Sequence, residues 1–154
     1  MTPFVVESVD QLNGQVGKEI GVSEWIVVKQ ERIRLFAEAT EDCQWIHVDA
    51  ERAKRESPFG TTIAHGFLTL SLISHLMQQT VQVRGGFRLV VNYGLNRVRF
   101  PAPVRGGSRI RGHFTLASFK DRGDSYEIIV ACTVECEGRE KPACAAEWVM
   151  RYLK

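Results

Sequence analysis

The chain has 154 residues, a length that fits one ordinary domain and leaves none for a second. Hydrophobic residues make up 44% and charged residues 25%, which excludes a disordered chain and marks a globular one with a core of its own. The net charge of only +2 excludes the broad basic field that nucleic acid requires, while local basic clusters remain able to grip a phosphorylated small molecule.

No apolar run reaches the ~18 to 20 residues of a membrane span, so no membrane partner is expected. The opening MTPFVVESVDQL has neither a basic start nor a sustained apolar stretch and is not expected to be a secretory signal. Cys43, Cys132, Cys136 and Cys144 form no C-x-x-C pair, so free thiols in a reducing compartment, the cytoplasm, are expected.

In chain order, Ser8 is expected to cap a short helix that Gly14 ends. Ser23 to Val28, SEWIVV, is rich in β-branched and aromatic residues and reads as a strand. QERIRLFAEAT carries Ile33, Phe36, Ala37 and Thr40 at helical spacing, which predicts a helix ending near Thr40. Asp49 reads as the N-cap of a polar helix, AERAKRE, that stops before Pro58. SPFGTT is a turn. IAHGFLTLSLISHLMQQ is apolar on nearly every face, which predicts a buried core helix, too short and too polar at His65, Ser71, Ser74 and His75 for a bilayer. From Phe87 onward β-rich runs alternate with turns: FRLVVNYG, LNRVRF, SRIRGHFTLASF, SYEIIVACTVE and CAAEWVMRYL. Short connections imply antiparallel pairing. The expected class is therefore α+β, one long buried helix on a curled antiparallel sheet.

Candidate chemistry lies in ATEDCQWIHVD, where Asp42 and His47 stand between two helices. On a regular helix that spacing puts them about 140° apart, so they converge only across a non-helical turn. A carboxylate and an imidazole that face each other suit the holding of a water and the movement of its protons near neutral pH. The residues alone leave a second reading open, with Asp42 capping the next turn and His47 a loop residue. Further on, Gly66 stands at the start of the buried helix, where free amides suit an oxyanion and the missing side chain permits close approach. Glycine there would equally serve tight helix-to-sheet packing.

D-x-x-x-x-H-V-D, then F-G-x-x-I-A-H-G-F-L and S-L-I-S, then VNYGLNRVRFPAPVRGGSRIRG resemble the MaoC-like dehydratase and (R)-specific enoyl-CoA hydratase family over roughly residues 30 to 112. The resemblance implies a hot-dog fold, with a helix from about His65 to Gln79 wrapped by the sheet, and a homodimer. It implies hydration of a trans-2-enoyl-CoA to an (R)-3-hydroxyacyl-CoA. Asp42 and His47 would hold the water, with Asp42 the base. The Gly66 amide would polarise the thioester carbonyl, and Ser74 would support the aspartate. No cofactor is implied, since CoA is part of the substrate. An acyl-CoA thioesterase and a non-catalytic acyl-thioester binding protein are the alternatives on the same fold. One departure stands out: Gln44-Trp45 replaces the Asn-Pro that many members carry between aspartate and histidine.

Other residues point less sharply. Cys43 has no activating histidine close in sequence, and Cys132 and Cys136 fall on one face of a strand. His75 and His113 show no ligand spacing, so no metal is expected. Arg84, Arg88, Arg97, Arg99, Arg105, Arg109 and Arg111 read as a largely solvated face from which one or two grip CoA phosphates.

Overall fold

A computed structural model describes residues 2–154. In chain order it contains β1 (Phe4–Val6), a 3-10 helix (Val9–Gln15), β2 (Glu19–Val22), β3 (Ile26–Val27), α1 (Gln30–Thr40), α2 (Trp45–Val48) and α3 (Ala50–Glu56). The longest helix, α4 (Gly66–Gln78), follows, then β4 (Val81–Val83), β5 (Leu89–Arg99), β6 (Arg109–Asp121), β7 (Ser125–Cys136) and β8 (Cys144–Leu153). Six strands form one antiparallel sheet in the order β2-β6-β7-β8-β5, with β3 also paired to β6. The expected α+β arrangement is present.

The sheet's inner face follows from period-two alternation. On β6 the buried residues are Ile110, Gly112, Phe114 and Leu116, and on β7 they include Ile128, Val130, Cys132, Val134 and Cys136. Leu68, Ile73, Leu76 and Met77 of α4 join the same core. Gly112 lets the helix come close. A Cβ there would stand 2.5 Å from the Phe114 ring and 3.2 Å from Leu76 Cβ, so only glycine fits.

α1 and α3 form as the sequence predicts. Asp49 caps α3 by accepting from the Arg52 amide at 2.9 Å. Several expectations need correction. The segment after Ser8 is a 3-10 helix. The Ser8 hydroxyl donates to Asp10 instead of capping an amide, and Gly17, not Gly14, takes the left-handed turn. The expected Ser23 to Val28 strand is shortened to Ile26–Val27: the Ser23 amide still donates to the Gly112 carbonyl at 2.8 Å, but the Gly112 amide donates to Ser23 Oγ and not to a backbone carbonyl. FRLVVNYG and LNRVRF form a single strand, because irregularities near Tyr93 and Arg97 are absorbed against β8 without ending the pairing. β1 and β4 pair in parallel, which short-connection reasoning misses, since all of the chain from β2 to α4 separates them. Finally, α4 is not covered all round: Phe67 is 68% exposed, and Ser71 and Gln78 are exposed as well.

Among the described residues no helix is long and apolar enough to cross a membrane. Leu76 is fully buried at the contact between α4 and the sheet. Leu76→Ala is expected to cost about 2–5 kcal/mol, read as a lower urea midpoint with an unchanged slope.

Candidate active site

The site begins where α1 stops. Glu41 follows Thr40 in the left-handed region, at φ 60° and ψ 16°, a conformation usually given to glycine. Holding a glutamate there costs on the order of 1 kcal/mol, and it turns the chain off the helix axis directly before Asp42. The chain then re-enters a helix at Trp45, with the Gln44 carbonyl accepting from the His47 amide at 3.0 Å. Trp45 therefore occupies the first helical position, the one that tolerates proline. The Asn-Pro that the resemblance implies would fit the same turn, so Gln44-Trp45 is compatible with it. The Arg52 guanidinium lies over the indole, 4.4 Å from its centroid, and covers it.

His47 is buried on α2. Its Nδ1 lies 2.7 Å from the Ile63 carbonyl, which only accepts, so Nδ1 carries the proton and Nε2 keeps a lone pair. The Gln30 amide donates to the His47 carbonyl at 2.6 Å, and Gln30 Oε1 accepts from the Thr62 hydroxyl. Burial pushes the His47 pKa below its ordinary value. The Ile63 carbonyl opposes this, neighbouring His65 adds to it and Asp42 partly offsets it.

His65 closes the site from the α4 side and is 4% exposed. Its Nε2 donates to the Asp42 carbonyl at 2.9 Å and stands 4.0 Å from Asp42 Oδ2. Its ring stacks on His47 with centroids 3.7 Å apart and planes 23° apart, and Phe36 lies on it at 5.0 Å. The Asp42 side chain is 54% exposed and open to solvent. One ligand atom each from Asp42, His47 and His65 lie within 4.8 Å of one another. These are metal-ligand types, and His47 Nδ1 and His65 Nε2 are already bonded to carbonyls. His47 Nε2, left with its lone pair, can accept a hydrogen bond from water.

Gly66 is the first residue of α4, so its N–H has no carbonyl one turn back and carries the positive end of the helix dipole. A Cβ on Gly66 would meet the Phe100 ring at 2.9 Å, so close packing also demands glycine here. Beside it opens a cleft of about 370 Å³ walled by Phe59, Ile63, Phe100, Pro101 and Val104. Ser74 is elsewhere. Its hydroxyl donates to the Ser71 carbonyl at 3.2 Å, and it stands about 12 Å up the helix from Gly66. Within one chain the structure does not bring Ser74 to Asp42.

Cys43 is exposed beside Asp42, with Sγ 3.7 Å from the Ala37 carbonyl. Burial pushes the Cys132 thiol up to about 12 and Cys144 up to about 11, so neither serves as a nucleophile. Most of the arginines are already engaged. Arg84 pairs with Glu7, Arg109 with Glu137 and Arg111 with Glu135, while Arg97 reaches Glu147 at 3.9 Å. Sequence reasoning missed the His65 side chain and Gln30. The signal for His65 lay in the I-A-H-G motif itself, where the reading stopped at the glycine. Gln30 gave no local signal, because its partners are 17 and 32 residues away.

A helix lying on one antiparallel sheet is the hot-dog arrangement, and Asp42, His47 and His65 gather beside the start of that helix. Comparison with known proteins agrees: residues 11–137 match the model of the MaoC like domain, and the chain belongs to the MaoC-like dehydratase family. It is 51% identical over 148 residues to 3-hydroxyacyl-thioester dehydratase Z of Mycobacterium tuberculosis, covering 96% of this chain and 97% of that one. It is 48% identical over 147 residues to nodulation protein N of Rhizobium leguminosarum bv. viciae, covering 92% and 89%. The fold matches that of the R-hydratase PhaJ1 from Pseudomonas aeruginosa, with a TM-score of 0.72 at 22% identity over 90% of this chain and 82% of the other.

Burial of His47 sets a pH expectation. A free histidine titrates near 6.5, and folded His47 stays neutral to a lower pH. The unfolded chain therefore takes up this proton first as pH falls through 6.5, so acidification favours unfolding through this residue. An NMR titration of the His47 ring is expected to show a midpoint below 6.5.

Proposed function

We propose that the protein adds water to a trans-2-enoyl thioester of CoA to give the (R)-3-hydroxyacyl-CoA, and runs the reverse dehydration. The observation that carries this is the gathering of Asp42, His47 and His65, one side-chain atom of each within 4.8 Å of the others, with His65 directly before the first residue of α4. A water there donates one O–H to His47 Nε2, which orients it. The other proton passes to the Asp42 carboxylate as the water oxygen bonds to C3. The C2–C3 π electrons move toward the thioester carbonyl, whose oxygen gains charge against the Gly66 amide. C2 then takes the proton back from Asp42, so one water adds and nothing else is consumed. The apolar cleft beside Gly66 offers the acyl chain a place. The dehydratase named among the relatives and the R-hydratase of the same fold support the reading. No cofactor enters it. The four free cysteines fit a cytoplasmic setting.

The reading includes a homodimer. β5 ends the sheet order and exposes Leu89, Val91, Tyr93 and Leu95, beside the exposed Phe67 of α4. An unpaired apolar edge of this kind favours a second copy. Ser74 borders the same region, in a cleft with Ser71, Tyr93 and Trp148. If it supports an aspartate, that aspartate belongs to the other copy.

Two experiments test this. Loss of enoyl absorbance with an enoyl-CoA chain-length series is expected for the wild type, falling by about 10²–10⁴-fold in Asp42→Asn. No hydration at any length by folded protein would remove the hydratase reading, and release of free thiol would move it to a thioesterase. Sedimentation is expected to give twice the 17.4 kDa chain mass, with Tyr93→Asp shifted toward the monomer. A wild-type monomer would remove the dimer.

A further inference from the structure

We infer that His65 is a positioning residue that holds the Asp42 loop against α2 and the start of α4, with its Nε2–H on the Asp42 carbonyl and its ring on His47. The inference rests on the hydratase reading above and adds a residue to it. Asp42 lies on the loop after α1, His47 on α2 and Gly66 on α4, and no element carries two of them. His65 touches each. Its Nε2–H donates to the Asp42 carbonyl at 2.9 Å and stands 4.0 Å from the Asp42 carboxylate. Its ring lies face to face with His47 at 3.7 Å. Its own peptide group leads into the Gly66 amide.

The chemistry of the ring specifies which nitrogen does this. A carbonyl accepts and does not donate, so the bond to Asp42 requires the proton on Nε2. Nδ1 is buried and has no hydrogen-bond partner in the structure, so the side chain is held by one polar bond and two ring contacts, His47 and Phe36. Removing that bond frees the loop that Glu41 has turned into the left-handed region, and Asp42 drifts from the water it is to deprotonate. A misplacement of about 1 Å is enough to lower turnover roughly 100-fold. The effect is expected in kcat more than in KM, because the acyl cleft is walled by other residues. His65 also faces His47 as a basic group. The groups that bear on the His47 charge are His65 from the start of α4, Asp42 from the loop after α1 and the Ile63 carbonyl.

The test compares His65→Gln with His65→Asn. Glutamine places an amide N–H close to where Nε2 stands and can still reach the Asp42 carbonyl. Asparagine places it near Nδ1 and cannot. Expected is kcat within about tenfold of wild type for His65→Gln and about 100-fold lower for His65→Asn, with KM changed less than kcat and similar melting temperatures. Equal kcat in the two variants overturns the inference. So does a wild-type kcat in His65→Asn. An NMR readout needs no turnover: wild-type His65 should show its ring proton on Nε2. A proton on Nδ1 also overturns it. A wild type that binds but does not hydrate an enoyl-CoA, while passing the NMR test, removes the reaction and leaves the positioning role standing.

Discussion

The site hangs from one short stretch of backbone, Thr62 to His65, held on both sides by hydrogen bonds. The Ile63 amide donates to Ile46 on α2 at 3.1 Å, the Ala64 amide to Val104 at 2.7 Å, and the Gly106 amide to Thr62 at 3.0 Å. The Ile63 carbonyl then receives His47 Nδ1. Buried backbone groups must find such partners, and here the partners are the elements that carry the chemistry. Fixing this stretch fixes at once where α4 begins, which His47 nitrogen is free, and where His65 meets Asp42.

Behind that segment stands the packing of α4 against the sheet. The glycine at position 112 brings Leu76 within reach of β6, and the alternation of β6 and β7 supplies a continuous apolar floor. A helix seated this firmly gives its first amides a fixed address, which electrostatic stabilisation of a developing charge requires. The opposite side of α4 and the edge strand β5 are left apolar and open, so the surface most in need of cover adjoins the helix that carries Gly66 and Ser74.

Electrostatics and burial act differently on the two catalytic candidates. His47 is enclosed and kept neutral by burial, with its proton placed by the Ile63 carbonyl. Asp42 keeps more than half of its side chain in solvent, open to incoming water. An enclosed imidazole and an exposed carboxylate thus stand side by side. The left-handed Glu41 is the local strain accepted to present the carboxylate there.

The sequence by itself determined the local devices: α1 with its end at Thr40, the Asp49 cap, the core helix, three of the long strands, and the motif that joins Asp42, His47 and Gly66 to a family. Each is written in neighbours a few residues apart, through periodicity, capping chemistry or glycine placement. The tertiary structure alone decided what depends on distant partners. It shortened the expected Ser23 to Val28 strand to Ile26–Val27, with Ser23 Oγ taking the amide of a residue 89 positions away. It merged two expected strands into β5, paired β1 with β4, and held Ser74 on its own helix. It also turned His65 from a letter in a motif into the contact between Asp42 and His47, 23 residues beyond one of them. Side-chain hydrogen bonds and ring stacking are set by three-dimensional proximity, and no local pattern encodes which distant group will fill the other side.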